Sequence, residues 1–329
     1  MPIPVATRRS FLVLVLGVAL PVGVRAQPAR IYRIGVVSAG GPYEHAVKGL
    51  RDGLAEQGLE EGKHYVLHVR DVQGDFAESA ERAAKSLETE RVDVIFSVPT
   101  SITLATKRAT SSVPIVFVLG SDPVGQGIVN SFAKPGGRIT GVFSFRTELS
   151  GKRLEILKEI APRIRNVAIF YDPNNSVSMA GLQTTRDAAH RLGLVPIERQ
   201  VRTVDELKAS LQALRAGEVD ALFPSSDAFV QSQISLVIAA SKTKKLPAIF
   251  NEGRLVIDDG GLASYGASYY DMGRLAAKQV RQVLQGARPA DLPVERSERF
   301  ELLLNARTAR EIGITIPQSL LLRADEVIQ

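Results

Sequence analysis

Residues 31–57 read IYRIGVVSAGGPYEHAVKGLRDGLAEQ: a β-branched apolar run over 31–38, a turn through Gly40 and Gly41, then apolar residues at helical spacing over 43–57. A short apolar run that passes at once into an amphipathic helix is the front half of a βαβ unit. The unit repeats. Strands are predicted over 65–71, 92–97 and 114–119, and helices over 76–90 and 101–109. These strands carry few polar residues, the pattern of strands whose two faces are both covered by helices. Alternation at this spacing predicts a parallel, doubly wound α/β sheet.

The pattern breaks over 120–141, which is glycine-rich and holds Pro123 and Pro135. It resumes with a helix over 148–160, strands over 167–171, 194–200, 221–224 and 248–251, and helices over 178–192, 204–216 and 228–243. A second glycine-rich passage, 259–266, precedes a long helix over 270–286, an irregular stretch over 289–296, a strand over 300–304, a short helix over 306–312 and a tail over 317–329. The second half therefore repeats the architecture of the first in topology, not in residues. With 329 residues the chain is too long for one ordinary core. Two α/β lobes joined by several chain crossings, and so by a hinge, are expected: 27–142 with 265–296, and 143–264 with 297–329.

The N-terminus has the layout of a secretory leader. Arg8 and Arg9 precede an apolar run over 11–24, and Val24 and Ala26 supply small residues for cleavage after Ala26. The run is shorter than the ~20 residues a membrane span needs and contains Pro21. Thr7-Arg8-Arg9-Ser10-Phe11-Leu12 resembles the twin-arginine export pattern. Residues 1–26 hold Arg8, Arg9 and Arg25 and no acid, so without them the formal charge of +6 falls to 38 basic against 35 acidic residues. No Lys/Arg run of nucleic-acid type occurs, and no nucleic-acid partner is expected. The absence of cysteine excludes a thiol nucleophile, disulfides and a lipidated Cys at the leader junction. A free, monomeric protein of an oxidising exported compartment, the periplasm, is the expectation.

Chemistry-bearing motifs are missing. The four histidines, His45, His64, His68 and His190, do not form a metal spacing on a helix, and no HExxH, G-x-S-x-G or phosphate-loop motif occurs. Gly125-Gln126-Gly127 lacks the third glycine of a dinucleotide loop, so no cofactor is expected. What remains is the crevice rule: open parallel sheets bind ligands outside the carboxyl ends of their strands. The strand exits of the first half carry Ser38, Gly40, Gly41 and Tyr43, then Thr100 and Ser101 opening a helix, then Asp122. Those of the second half carry Asn174, then Ser226 and Asp227, then Asn251 and Glu252. Hydroxyls and a helix N-terminus on one lobe, facing carboxylates and amides on the other, suit a small polar or zwitterionic solute. Asp227 or Asp122 would take an ammonium, the Thr100-Ser101 helix start a carboxylate, and Tyr43, Tyr265 and Tyr269 are stacking candidates. The same residue types also serve as plain caps and turns.

Several segments carry a family resemblance: 114–117 (PIVF), 122–125 (DPVG), 135–141 (PGGRITG), 152–159 (KRLEILKE), 172–175 (DPNN), 261–266 (GLASYG), 290–295 (ADLPVE) and 317–327 (PQSLLLRADEV). In this combination the chain resembles the ABC transporter substrate-binding family that includes tryptophan- and tyrosine-binding importer proteins. That resemblance implies the type 1 periplasmic-binding-protein fold and binding without catalysis. It also implies hinge closure, delivery to an ABC permease in the inner membrane, and ligand-facing places at Thr100-Ser101, Asp122 and Ser226-Asp227. The competing expectations are a periplasmic sensor module serving a signalling receptor and an exported enzyme on the same scaffold. A cytoplasmic repressor of related fold is disfavoured, because the N-terminus reads as a leader and not as a helix-turn-helix.

Overall fold

The structure, a computed structural model, describes residues 1, 30–72, 76–146, 149–215, 217–253, 257 and 259–329. The leader expected over 1–26 lies outside the described residues, apart from Met1. From Ile31 onward the chain forms one unit.

The first lobe is a six-stranded parallel sheet. Its strands are β1 (Tyr32–Ser38), β2 (Tyr65–Asp71), β3 (Val94–Val98), β4 (Ile115–Leu119), β5 (Ile139–Phe143) and the short β11 (Glu295–Arg296), in the order β11-β5-β4-β3-β1-β2. The inner strands β3, β4 and β5 are buried along their whole length, whereas the edge strand β2 is mostly half-buried. Burial on both faces is what the continuous apolar runs encode. Helix Glu44–Glu56 turns Ala46, Val47, Leu50 and Leu54 inward and packs against helix Tyr269–Leu284. Their axes approach so closely that a Cβ at Gly49 would run into the Tyr270 carbonyl, and one at Gly273 into that of Ala46. Glycine at these positions is a condition of the packing.

The second lobe holds β6 (Asn166–Tyr171), β7 (Val195–Gln200), β8 (Ala221–Pro224), β9 (Ile249–Phe250), β10 (Ala263–Gly266), β12 (Glu301–Asn305) and β13 (Glu326–Ile328). They form sheets of order β7-β6-β8 and β13-β12-β10-β9, linked by a parallel bridge between Leu222 and Ala248. Most pairs are parallel, but β12 runs antiparallel to β10. Two separate apolar cores cover the faces of this lobe.

The elements predicted from the sequence are present, with a few departures. The predicted single helix over 228–243 is two, Ala228–Ser232 and Ile234–Lys244, because Gln233 leaves helical dihedrals. Strands β5, β10, β11 and β13 arise inside stretches read as irregular.

The chain crosses between lobes after β5, after β10 and after β11. Among the described residues no helix is long and apolar enough to cross a membrane.

Candidate functional site

The strand exits of both lobes meet at two connected spaces. The larger, a cleft of about 930 Å³, runs between Gly40, Gly41, Phe76 and Leu104 of the first lobe and Asn174, Thr203, Phe229 and Ser232 of the second. The lobes touch across it. The rings of Phe76 and Phe229 meet edge to face with centroids 6.0 Å apart. A Cβ at Gly41, which has φ of +57°, would lie 3.1 Å from the Ser232 carbonyl oxygen.

The smaller space is a chamber at the inner end, closed down to about 10 Å³, the room of roughly one water. The first lobe lines it with Tyr43, Pro99, Thr100, Ser101, Gly120 and Tyr269; the second with Asn175, Val177, Ser226, Ala228 and Asn251. Arg146, on the crossing after β5, completes the wall. Ser101 and Asn175 line both spaces, so chamber and cleft are one site with a narrow polar end.

Arg146 is 1% exposed. Its Nη1 donates to the Ala267 carbonyl, its Nη2 donates to the Asn251 carbonyl, and Nη2 also sits 3.0 Å from a Glu252 carboxylate oxygen. The guanidinium stacks 4.0 Å from the centre of the Tyr269 ring, which packs edge to face on Tyr43. One side chain thus ties the first crossing to the second and to the second lobe. Arg153, equally buried, donates from Nη2 to the Arg146 carbonyl (2.9 Å) and to Ser226 Oγ (2.9 Å).

Burial raises the Glu252 carboxyl to about 7, with Arg146 opposing. Burial, joined by the nearby Asp172 charge, raises Asp227 to about 6 against the hydrogen bond from Val230 N–H. Tyr43 and Tyr269 are both pushed upward by burial. These are dry surroundings, in which a correctly placed polar ligand atom gains more than it would at the surface.

Of the twelve residues singled out from the sequence, Tyr43, Thr100, Ser101, Ser226 and Asn251 line the chamber, and Gly40, Gly41, Ser101 and Asn174 line the cleft. The others are occupied locally. Ser38 is fully buried and its Oγ accepts from Gly40 N–H. Asp122 accepts from Val124 N–H, fixing its own turn, and lies on neither space. Asp227 caps helix Ala228–Ser232 through Val230 N–H (2.8 Å) and accepts from Asn175 Nδ2 (3.1 Å), so it supports the chamber wall from behind. Glu252 is turned to Arg146. Tyr265 also lies away from both spaces.

Three polar atoms in this wall have no hydrogen-bond partner among the described residues: Ser101 Oγ, Arg146 Nε and Asn251 Oδ1. Hidden polar groups are nearly always paired within a protein; of the nine without a partner among the described residues, these three share one small chamber, which makes it the candidate site. No group of three metal-ligating side chains occurs among the described residues.

A model of the ABC transporter substrate binding protein family matches residues 34–328. The chain belongs to this family. Among its relatives is a tyrosine-binding protein of Clostridioides difficile, 26% identical over 271 residues, which span 82% of this chain and 77% of the relative. Two solved structures superpose closely. A conserved domain protein from Vibrio cholerae gives a TM-score of 0.82 at 27% identity, over 91% of this chain and all of the other. An ABC domain from Streptococcus pneumonia, in complex with L-Trp, gives 0.80 at 26% identity, with the same coverage. The two-lobed fold expected from the sequence is thus the fold of the family.

For a substrate-binding protein the residues that sequence reasoning missed are instructive. Arg146 was not singled out and Arg153 only as part of the segment 152–159, because arginine is rarely buried and neither follows a strand predicted from the sequence. The stretch around Arg146 has no periodicity to place it. Its sole signal is position: it lies on the segment that must pass from one lobe to the other.

Proposed function

We propose that the chain is the solute-binding component of an ABC importer. On this reading it is exported, freed of its leader near Ala26, and holds an amino-acid zwitterion between its lobes in the periplasm for delivery to an inner-membrane permease. The observation that carries the reading is the chamber itself. Both lobes and a crossing build it, three hidden polar atoms on its wall have no partner among the described residues, and a roomier cleft adjoins it, where Phe76, Leu104, Val204 and Phe229 stand among charged side chains such as Asp71, Arg108, Asp172 and Arg202. A polar head in the chamber and a side chain in the cleft is the arrangement that satisfies both. The relatives named for tyrosine and crystallised with L-Trp support an aromatic amino acid as the first solute to test. No constellation of nucleophile, base and oxyanion donors accompanies the site among the described residues, which favours capture over turnover.

The test is a thermal-shift and calorimetric screen of the purified protein against amino acids, aromatic acids, nucleosides and sugars. A true solute at a hundredfold excess over Kd stabilises by about 2.7 kcal/mol. The chain has no tryptophan, so a dye or heat signal is preferable to intrinsic fluorescence. A screen in which nothing binds, or in which the bound compound is chemically converted, would refute the proposal.

A further inference from the structure

The end of the second lobe that faces away from the cleft carries positive charge that the fold does not use. Here β6, β7, β8 and β9 begin side by side, in the order β7-β6-β8 with β9 joined through Leu222 and Ala248. At ~4.8 Å per strand, these four starts span about 15 Å. Arg163 and Arg165 lead into β6, and Arg191 ends the helix before β7. Arg215 stands in the loop before β8, and Lys245 follows the helix before β9. All five are exposed, and none of their side chains has a partner among the described residues. Lys244 Nζ donates to the carbonyls of Gln212 (3.2 Å) and Leu214 (2.8 Å), which holds Lys245 close to Arg215. The acids of this rim are engaged. Asp220 accepts from the N–H groups of Arg165 and Asn166, Glu218 from Arg199 and Asp187 from Gln183. Val195, 51% exposed at the start of β7, adds an apolar side chain to the rim.

Cations at helix C-termini complement the helix dipole, and several helices end here. That cause alone does not produce the rim. The first lobe has the same strand–helix–strand order, yet its loops before β2 and β3 carry Glu56, Glu60, Glu61, Glu88, Glu90 and Asp93. The two far ends of the molecule therefore differ in sign, although the chain as a whole is nearly balanced. No Lys/Arg run announces the basic end in the sequence, because the fold gathers it from four loops.

We propose that this rim of the second lobe rests on an anionic phospholipid bilayer. The protein is held reversibly at the membrane with its second lobe down and the acidic end of the first lobe away. Clusters of four to eight cations read in this way, each contributing about fivefold to the partition. The cations are spread along the ends of four strands, a spacing suited to a field of head groups and not to one phosphate ion. At physiological ionic strength charge is screened within ~8 Å, so the rim senses the surface and the distant acidic end does not. Attraction of this kind needs no lipidated cysteine, and the chain has none. The proposal is independent of which solute the cleft holds.

The experiment is flotation of the protein, purified after export, with vesicles of phosphatidylcholine alone or with about a third phosphatidylglycerol, over a series of salt concentrations. Binding is expected to the phosphatidylglycerol vesicles only, and to fall steeply as salt rises. Arg165→Gln with Arg215→Gln should weaken it about 25-fold, at roughly fivefold for each charge removed. Lys63→Gln with Lys85→Gln takes the same net charge from the first lobe and should leave it within twofold. Thermal unfolding of both double variants should match the parent, since the four side chains are exposed and pack no core. Equal weakening by the two variants would overturn the rim in favour of net charge alone. Binding to neutral vesicles as strong as to anionic ones would overturn the electrostatic basis. Calorimetric heat from inorganic phosphate alone, with vesicle binding abolished by millimolar phosphate, would replace the bilayer with a discrete phosphate site. Retention on heparin or an oligonucleotide without flotation would assign the rim to another polyanion and overturn the proposal.

Discussion

Glu252→Gln should flatten the dependence of stability on pH between 5 and 8. The native carboxyl is raised to about 7 by full burial, only partly offset by Arg146 and by the N–H groups of Gly253 and Tyr269. In the unfolded chain a glutamate titrates near ~4.3. Between those values the native state binds the extra proton, so stability is greatest near the lower one and falls as pH rises toward the upper. Integrated from pH 5 to 8, the loss is on the order of 2–3 kcal/mol, or about 5 °C in Tm at this chain length. Asp227, raised to about 6, acts in the same direction and adds its own share to both proteins. Glu88 acts in the opposite direction. Backbone N–H groups of Ser111, Ser112 and Val113 outweigh its desolvation and lower it to about 2, so its contribution is lost only in stronger acid. The assay is thermal or urea unfolding of both proteins at half-unit pH steps, reading the difference between the two slopes. Equal slopes would refute a buried, proton-holding Glu252, whatever the absolute stability of the variant.

Phe76→Ala removes the ring contact that bridges the lobes at the cleft. Such a pair is worth ~0.5–1.5 kcal/mol beyond its area, so calorimetry should find ligand affinity three- to tenfold weaker with the Tm of the protein little changed. Unaltered affinity would mean that closure does not use this contact. Gly273→Ala places a methyl where the Ala46 carbonyl already stands. Overpacking against backbone at a helix crossing should lower stability by about 3 kcal/mol or more in urea unfolding, and a loss under 1 kcal/mol would show that the two helices can separate freely.

How much of this was legible depends on which force places each element. β1 to β4 and their helices were readable because local pattern and tertiary fate agree: apolar runs become covered strands and amphipathic runs become covering helices. β5 was hidden in a glycine- and proline-rich stretch. Its five residues, Ile139–Phe143, are a strand because β4 and β11 pair with them on either side. β10, Ala263–Gly266, has small and polar residues and is likewise held by its neighbours β9 and β12. At the site, the crevice rule found Thr100, Ser101, Ser226 and Asn251, because it concerns backbone topology. It also selected Ser38, Asp122 and Asp227, whose side chains are engaged with their own turns and caps, since every strand exit needs such residues. Arg146 escaped it altogether, for no local pattern announces a charge that tertiary structure will bury.

The buried charges at the hinge are a poor means of stabilising a fold. Removing an Arg–Glu pair from water costs about as much as their attraction returns, and apolar replacements are often no worse. Their arrangement makes better sense as a device that depends on which state the lobes occupy. With the lobes together, Ser101 Oγ, Arg146 Nε and Asn251 Oδ1 are screened from solvent and have no partner among the described residues. In a form with the lobes apart, water would reach them. Each unpartnered buried group costs ~1–3 kcal/mol, so closure by the protein alone carries a penalty of several kcal/mol. A ligand that supplies all three bonds removes that penalty only in the closed form, and differential affinity of this kind is what shifts a population. Moving two states from 1:99 to 99:1 takes ≈5.5 kcal/mol, within the range those atoms span. The contacts Phe76–Phe229 and Gly41–Ser232 oppose the penalty and set how far open the resting equilibrium lies. On the proposed reading, the wall that meets the solute would also be the one that makes closure conditional on it.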